Sequence, residues 1–293
     1  PGGRVTPGKR MTLTIGDDIF DLSGIWQYAV TAEADRDCPF EDFVRWKPTG
    51  LYNAMLAPCF PYAVRAVLWY QGESNTGDYA MRYGDELKAM IELWRGKWHQ
   101  PDMPFLIVQL PKFGIDAIED GGWPLIREQE WRVADELEHV AAVVTLDAGE
   151  SNDLHPHDKK TIADRAFNVA MDFVYGQQAQ PQPVVETAEA DDGLLRMHCV
   201  WRNSMGEQMQ SQNRHLMTLD GDVPREIDFL WHDCATSVRA EAWLDGCDIV
   251  ARIPSRMPDE VRYAWSNSPE SGLICDGDGV LLPPFHLPLP MVD

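Results

Sequence analysis

Three times between residues 63 and 175, a short unbroken apolar run gives way to a stretch whose apolar residues recur at helical spacing. Residues 63–70 (AVRAVLWY), 104–110 (PFLIVQL) and 140–146 (VAAVVTL) have the length and continuity of strands buried on both faces. Tyr79, Tyr83, Leu87, Met90, Ile91 and Trp94 predict an amphipathic helix over 78–98. Ile126, Glu130 and Val133 predict a second over 123–137, and Ile162, Ala166, Val169 and Phe173 a third over 158–175. Connections of this length exclude hairpins, so the pattern predicts an α/β fold, a parallel sheet with helices on both faces. Such sheets bind ligands at the carboxyl ends of their strands. Function is therefore expected in the loops 71–78, 111–122 and 147–156.

The flanks have a different texture. Residues 1–50 are irregular and rich in Gly, Asp and Pro, with strand-like pieces at 11–15 and 25–30, and do not read as a self-sufficient domain. The α/β portion spans 51–180 and ends in a polar, Pro-rich linker, 177–183 (QQAQPQP). Beyond it, 181–293 reads as a small antiparallel β module. Segments at 194–201, 226–231, 238–244, 248–253 and 261–265 are separated by turn residues such as Asp245-Gly246.

Composition narrows the classes of function. Lys and Arg total 25 against 47 Asp and Glu, a net charge of -22. A surface that acidic repels phosphate backbones and anionic membrane faces, so no nucleic-acid partner and no membrane partner is expected. No apolar run approaches the ~20 residues of a membrane helix. Pro1-Gly2-Gly3-Arg4 is no signal peptide, and the compartment is left open. Six scattered cysteines without a C-x-x-C pair make neither a zinc framework nor a disulfide scaffold.

Two loops carry the chemistry. Where the first strand ends stands Trp69-Tyr70-Gln71-Gly72-Glu73-Ser74-Asn75. Its amides can donate N–H bonds without adding charge, which suits an oxyanion hole. It can equally be a loop that turns and caps the next helix through Ser74 or Asp78. A nucleophile elbow at Ser74 would need G-x-S-x-G, and Thr76 stands where the second Gly belongs. After the third strand comes Asp147-Ala148-Gly149-Glu150-Ser151-Asn152-Asp153-Leu154-His155-Pro156. His155, two residues from Asp153, can serve as a general base toward a hydroxyl nucleophile. The same stretch can be read as a metal cluster of His155 and His157 with Asp153 and Asp158, or as a polar turn before a helix. Spacing leaves the three open.

Taken in order, WYQGESN, PFLIVQL, DAGE and NDLHP resemble the sialate O-acetylesterase family of the SGNH-hydrolase superfamily. The likeness extends upstream to LYNAMLAPCFPYAVRAV and downstream to VRYAWSNS at 261–268 and LPPF at 282–285. Even residues 17–30 look like the end of a domain inserted in that family. The resemblance implies an SGNH-hydrolase-like parallel sheet and an esterase that removes acetyl groups from sugar hydroxyls without a metal or organic cofactor. It implies His155 as base and Asp153 as its carboxylate partner. Gln71, Gly72 and Asn75 become oxyanion donors, with Glu73 lining the site.

One element of the family pattern has no counterpart. The family's nucleophile lies in an upstream Gly-Gln-Ser-Asn motif, which does not occur in these 293 residues; Ser23, in Asp21-Leu22-Ser23-Gly24, is no match. The chain is therefore expected to be the C-terminal portion of such an enzyme, its first strands and its serine supplied by an N-terminal polypeptide. Its expected ligand is an acetylated carbohydrate, of the sialic acid or plant-polysaccharide type. The other expectation is an inactive fragment or a carbohydrate-binding remnant, with Trp123, Trp131 and Trp201 available for stacking on sugar.

Overall fold

The computed structural model describes residues 12–27, 29, 47–114, 122–177, 180–210, 214–234 and 237–289. The chain divides into two compact units, Pro1–Pro61 and Tyr62–Asp293. The first contains an antiparallel hairpin, β1 (Thr12–Ile15) and β2 (Asp18–Asp21), turning at Gly16 with its φ of 62°. Residues 25–27 are not a strand, and the remainder of the 25–30 expectation falls partly outside the described residues. Ile25 and Trp26 stand exposed with no ladder to join, and the pairing goes to Asp18–Asp21 instead.

The second unit opens with the predicted alternation: β3 (Val67–Trp69), α1 (Ala80–Trp98), β4 (Phe105–Val108), α2 (Trp123–Glu136), β5 (Val140–Val143) and α3 (Lys159–Phe173). The three strands pair in parallel in the order β3-β4-β5. Side chains of a strand alternate between faces, and β4 serves both. Phe105 and Ile107 pack with Leu87 and Ile91 of α1 and Ile126 and Val133 of α2. Leu106 and Val108 pack with Ile162 and Ala166 of α3. Burying both faces is why β4 and β5 read as continuous apolar runs rather than alternating ones, whereas β3, expected to be buried likewise, leaves Leu68 exposed at the edge of the sheet.

The rest is antiparallel: β6 (Gln182–Asp191), β7 (Leu194–Arg202), β8 (Gln208–Met209), β9 (Leu216–Thr218), β10 (Ile227–Leu230), β11 (Val238–Arg239), β12 (Ala242–Asp245), β13 (Asp248–Arg252), β14 (Glu260–Tyr263), β15 (Ile274–Asp276) and β16 (Phe285–Pro288). One sheet runs β12-β13-β7-β6 with β8 added to β7, another β11-β10-β14-β16, and β15 pairs with β9. The β6–β7 hairpin turns on Asp192 and Gly193, at φ 46° and 74°, the paired positive angles of a two-residue hairpin turn. Leu195, Met197, Cys199 and Trp201 of β7, at period two, join Phe229, Val261, Tyr263 and Ile274 in one buried cluster. Val144 and Leu146, just past β5, belong to that same cluster, so the two layers share a core.

Candidate active site

All three parallel strands deliver their following loops to one end of the sheet, and hydrogen bonds join the second of these loops to the third. Lys112 N donates to Ala148 O at 3.0 Å and Gly114 N to Ser151 O at 2.7 Å, joining the β4 loop to the β5 loop. Gly149, at φ 86°, is required there: a Cβ would stand 2.9 Å from Lys112 O. Residues 115–121 of the β4 loop lie outside the described residues.

The 71–75 loop is built from below. Tyr83 of α1 donates its hydroxyl hydrogen to Gln71 O at 2.5 Å and receives Trp69 Nε1–H at 3.2 Å. Gln71 Nε2 donates to Asn75 Oδ1 at 2.9 Å, so the two amides are joined to each other. Gly72 is buried, and its N–H donates to Glu73 Oε2 at 3.0 Å. A Cβ on Gly72 would meet Ile126 Cγ2 at 2.8 Å, so the close approach of α2 demands glycine. Ser74 is exposed on the turn Glu73–Asn75. Neither Ser74 nor Asp78 caps α1, whose N-cap is Tyr79 without a side-chain bond, the chain having already turned at Gly77.

In the β5 loop, Asp153 Oδ1 accepts the backbone N–H of His155 at 3.0 Å, and its Oδ2 lies 3.3 Å from His157 Nε2. The carboxylate thus fixes the backbone that carries His155, while its ring-side contact is with His157. The His155 side chain is exposed. Asp158 is the N-cap of α3, accepting from Lys160 N and Thr161 N. Among the described residues no group of three His, Cys, Asp or Glu is arranged to hold a metal. The β5 loop is held to α3 by Arg165, bidentate on Asp147, and approaches the β3 loop where Lys159 Nζ sits 5.2 Å from the Tyr70 ring centroid.

Several residues beneath the loops have functional weight that spacing alone does not reveal. Arg127, on α2, is fully buried. Its Nε donates to Leu110 O, one terminal nitrogen to Ser266 O, and the other to Pro111 O and Asn267 O, all within 3.0 Å. Burial lowers its pKa to about 10, against the pull of Glu130 and Glu226. Asn267 Oδ1 accepts Trp123 N at 3.2 Å and its carbonyl accepts Phe113 N at 3.1 Å. The VRYAWSNS stretch was the available signal for this brace. Trp123 and Trp201 are core residues, Trp201 donating to Asp276 Oδ2 at 2.9 Å, so neither offers a face to sugar. A cavity of about 900 Å³ runs along the free edge of β5 toward β6 and β16, and residues 71–75, 153 and 155 do not line it.

A parallel sheet presenting an amide-rich loop and an Asp-x-His loop at its carboxyl end has the architecture of an SGNH-type carbohydrate acetylesterase. Residues 41–165 match the family described as carbohydrate esterase, sialic acid-specific acetylesterase. The chain belongs to the sialate O-acetylesterase family. Sialate O-acetylesterase of Mus musculus is 30% identical over 264 residues, covering 80% of this chain and 47% of that protein. The Homo sapiens protein of that name is 30% identical over 174 residues, 52% of this chain and 33% of its own. A crystal structure titled a novel carbohydrate acetylesterase, from Xanthomonas citri, superposes with a TM-score of 0.70 at 29% identity, covering 81% of this chain and 53% of that one. The chain spans about half the length of the curated relatives it matches.

Proposed function

We propose that these residues supply the base and part of the oxyanion hole of a carbohydrate O-acetylesterase, with the nucleophilic serine on polypeptide outside them. The observation that carries this reading is the delivery of WYQGESN and NDLHP to the same end of one parallel sheet. Residues 1–50 are then the end of an inserted segment, 51–180 carry the site and 181–293 brace it.

In the reaction, serine Oγ attacks the acetyl carbonyl carbon of an acetylated sugar while His155 takes its proton, and Asp153 offsets the imidazolium charge. The carbonyl oxygen becomes an oxyanion facing the N–H donors of Gln71, Gly72 and Asn75, with Glu73 lining the site. Collapse expels the sugar oxygen, which recovers the proton from His155. Water, deprotonated by His155 in turn, releases acetate from the serine. No step calls for a metal or organic cofactor. A binding-only role has less support, since Trp123 and Trp201 are buried and only Trp131 of the three, partly buried at the cavity beside β5, is left for stacking.

The serine-bearing segment has a place to dock. The outer edge of β3 pairs with no strand among the described residues, and Leu68 on it is 57% exposed. The test is intact mass of the native particle with an aryl-acetate assay on the same sample. Expected are a second polypeptide, or a longer one, carrying Gly-Gln-Ser-Asn, and activity that His155→Ala abolishes but a chelator does not. Activity surviving His155→Ala, or lost on Ser74→Ala with normal folding, overturns the assignment.

A further inference from the structure

Beneath the 71–75 loop lies a buried carboxyl that acetyl transfer as described leaves unused. Glu130, on α2, is 0% exposed. Its Oε2 accepts the N–H of Leu110 at 3.0 Å, an amide just past the end of β4. Its Oε1 has no hydrogen-bond partner and stands 3.3 Å from where a Cβ on Gly72 would be. One carboxyl thus lies against the loops that follow two neighbouring strands.

The groups facing it are Glu73 and Tyr70 from the β3 loop, Tyr83 from α1 and Arg127 from its own helix. Arg127 is the single cation among them, and four of its five N–H groups go to the carbonyls of Leu110, Pro111, Ser266 and Asn267. A bare carboxylate here would sit uncompensated in the core beside the charge of Glu73.

Resting on the esterase reading, we propose that Glu130 is a positioning residue for the oxyanion loop. Its uncharged carboxyl forms the floor under Gly72 and ties that floor to the β4 loop through Leu110, so the loop backbone is held without a second negative charge beside that of Glu73. Burial, reinforced by Glu73, holds this carboxyl well above its ordinary value of 4.5, although the Leu110 amide and Arg127 pull it the other way. The neighbouring Tyr70 hydroxyl is pushed up to about 12, by burial first and then by Glu73 and Glu130.

The test has two arms. Urea unfolding of the chain is measured across pH for the wild type and Glu130→Gln. A folded-state pKa raised above the unfolded one gives stability that is complete below the ordinary carboxylate value and lost as pH climbs through the raised one. The wild type should therefore lose stability relative to Glu130→Gln over that interval. Parallel curves overturn the inference. In the native particle, Glu130→Leu should lower kcat about 10- to 100-fold, the order expected of a misplaced oxyanion loop. Glu130→Gln should restore most of it and move the alkaline limb of the pH–rate profile upward. An unmoved limb overturns the positioning role. Diverging unfolding curves in a particle with no esterase activity would sink the esterase reading and the positioning role together, leaving only a buried neutral carboxyl.

Discussion

At the scale of single residues, the site depends on what lies under it more than on what it displays. Gly72 touches α2 so closely that Gly72→Ala must displace Ile126 or the loop itself. The expected cost is about 1–3 kcal/mol of stability, as for other overpacked positions. Chemical denaturation of the variant measures it, and an unchanged midpoint would mean that α2 yields freely. That Gly72, Asn75, Asp153 and His155 fall at strand ends was legible in the sequence, because their loop motifs directly follow apolar runs. Glu130, Arg127 and Tyr83 were not. Periodicity placed Glu130 and Tyr83 on buried helix faces, but nothing in a helical period says that a charged side chain there will meet four carbonyls or an unpaired amide. Those partners come from segments far away in the chain, and only the folded arrangement puts them in reach.

Among elements, the contact between α2 and the β module is electrostatic as well as apolar. His286 of β16 bridges Glu128 of α2, at 3.3 Å, and Glu260 of β14, at 2.6 Å, while His232 holds the other oxygen of Glu260 at 2.8 Å. The Trp265 ring packs, tilted by 60°, at 5.1 Å from the His286 ring. Hydrogen bonding to Glu128 and Glu260 raises His286 above its ordinary 6.5, against burial, and Glu260 raises His232 likewise. Burial would push Glu260 up, yet the two imidazoles bring it below its ordinary value. The histidine contribution is therefore complete below pH 6.5 and is lost as pH rises through the raised values, while the Glu260 contribution is lost as pH falls through the lowered one. His286→Gln should flatten the alkaline side of the stability profile, measured by thermal unfolding against pH; a slope as steep as in the wild type would refute the bridge. The strands and helices of the α/β layer were readable from their own periods, to within a few residues at each end. The ten residues of β6 were not, since QPVVETAEAD carries Glu, Ala and Asp in place of β-formers. Its pairing with β7 and a favourable Asp192-Gly193 turn make it a strand.

For the whole molecule, the polar linker at 177–183 looks like a natural place to separate a catalytic half from a supporting one. Arg127 argues against it, because two of the carbonyls that hold it, Ser266 and Asn267, come from 139 and 140 residues further along the chain. A fragment ending near residue 180 would bury a guanidinium with part of its cage missing, and Val144 and Leu146 would lose the β-module core they belong to. Such a fragment should be rapidly cut by protease at concentrations that leave the intact chain whole; a resistant, cooperatively unfolding fragment would show the halves to be independent. The same cation has a consequence during synthesis. On the ribosome, the helix bearing Arg127 emerges well before the turn that completes its cage, so the last two hydrogen bonds to this buried cation wait for translation to pass Asn267.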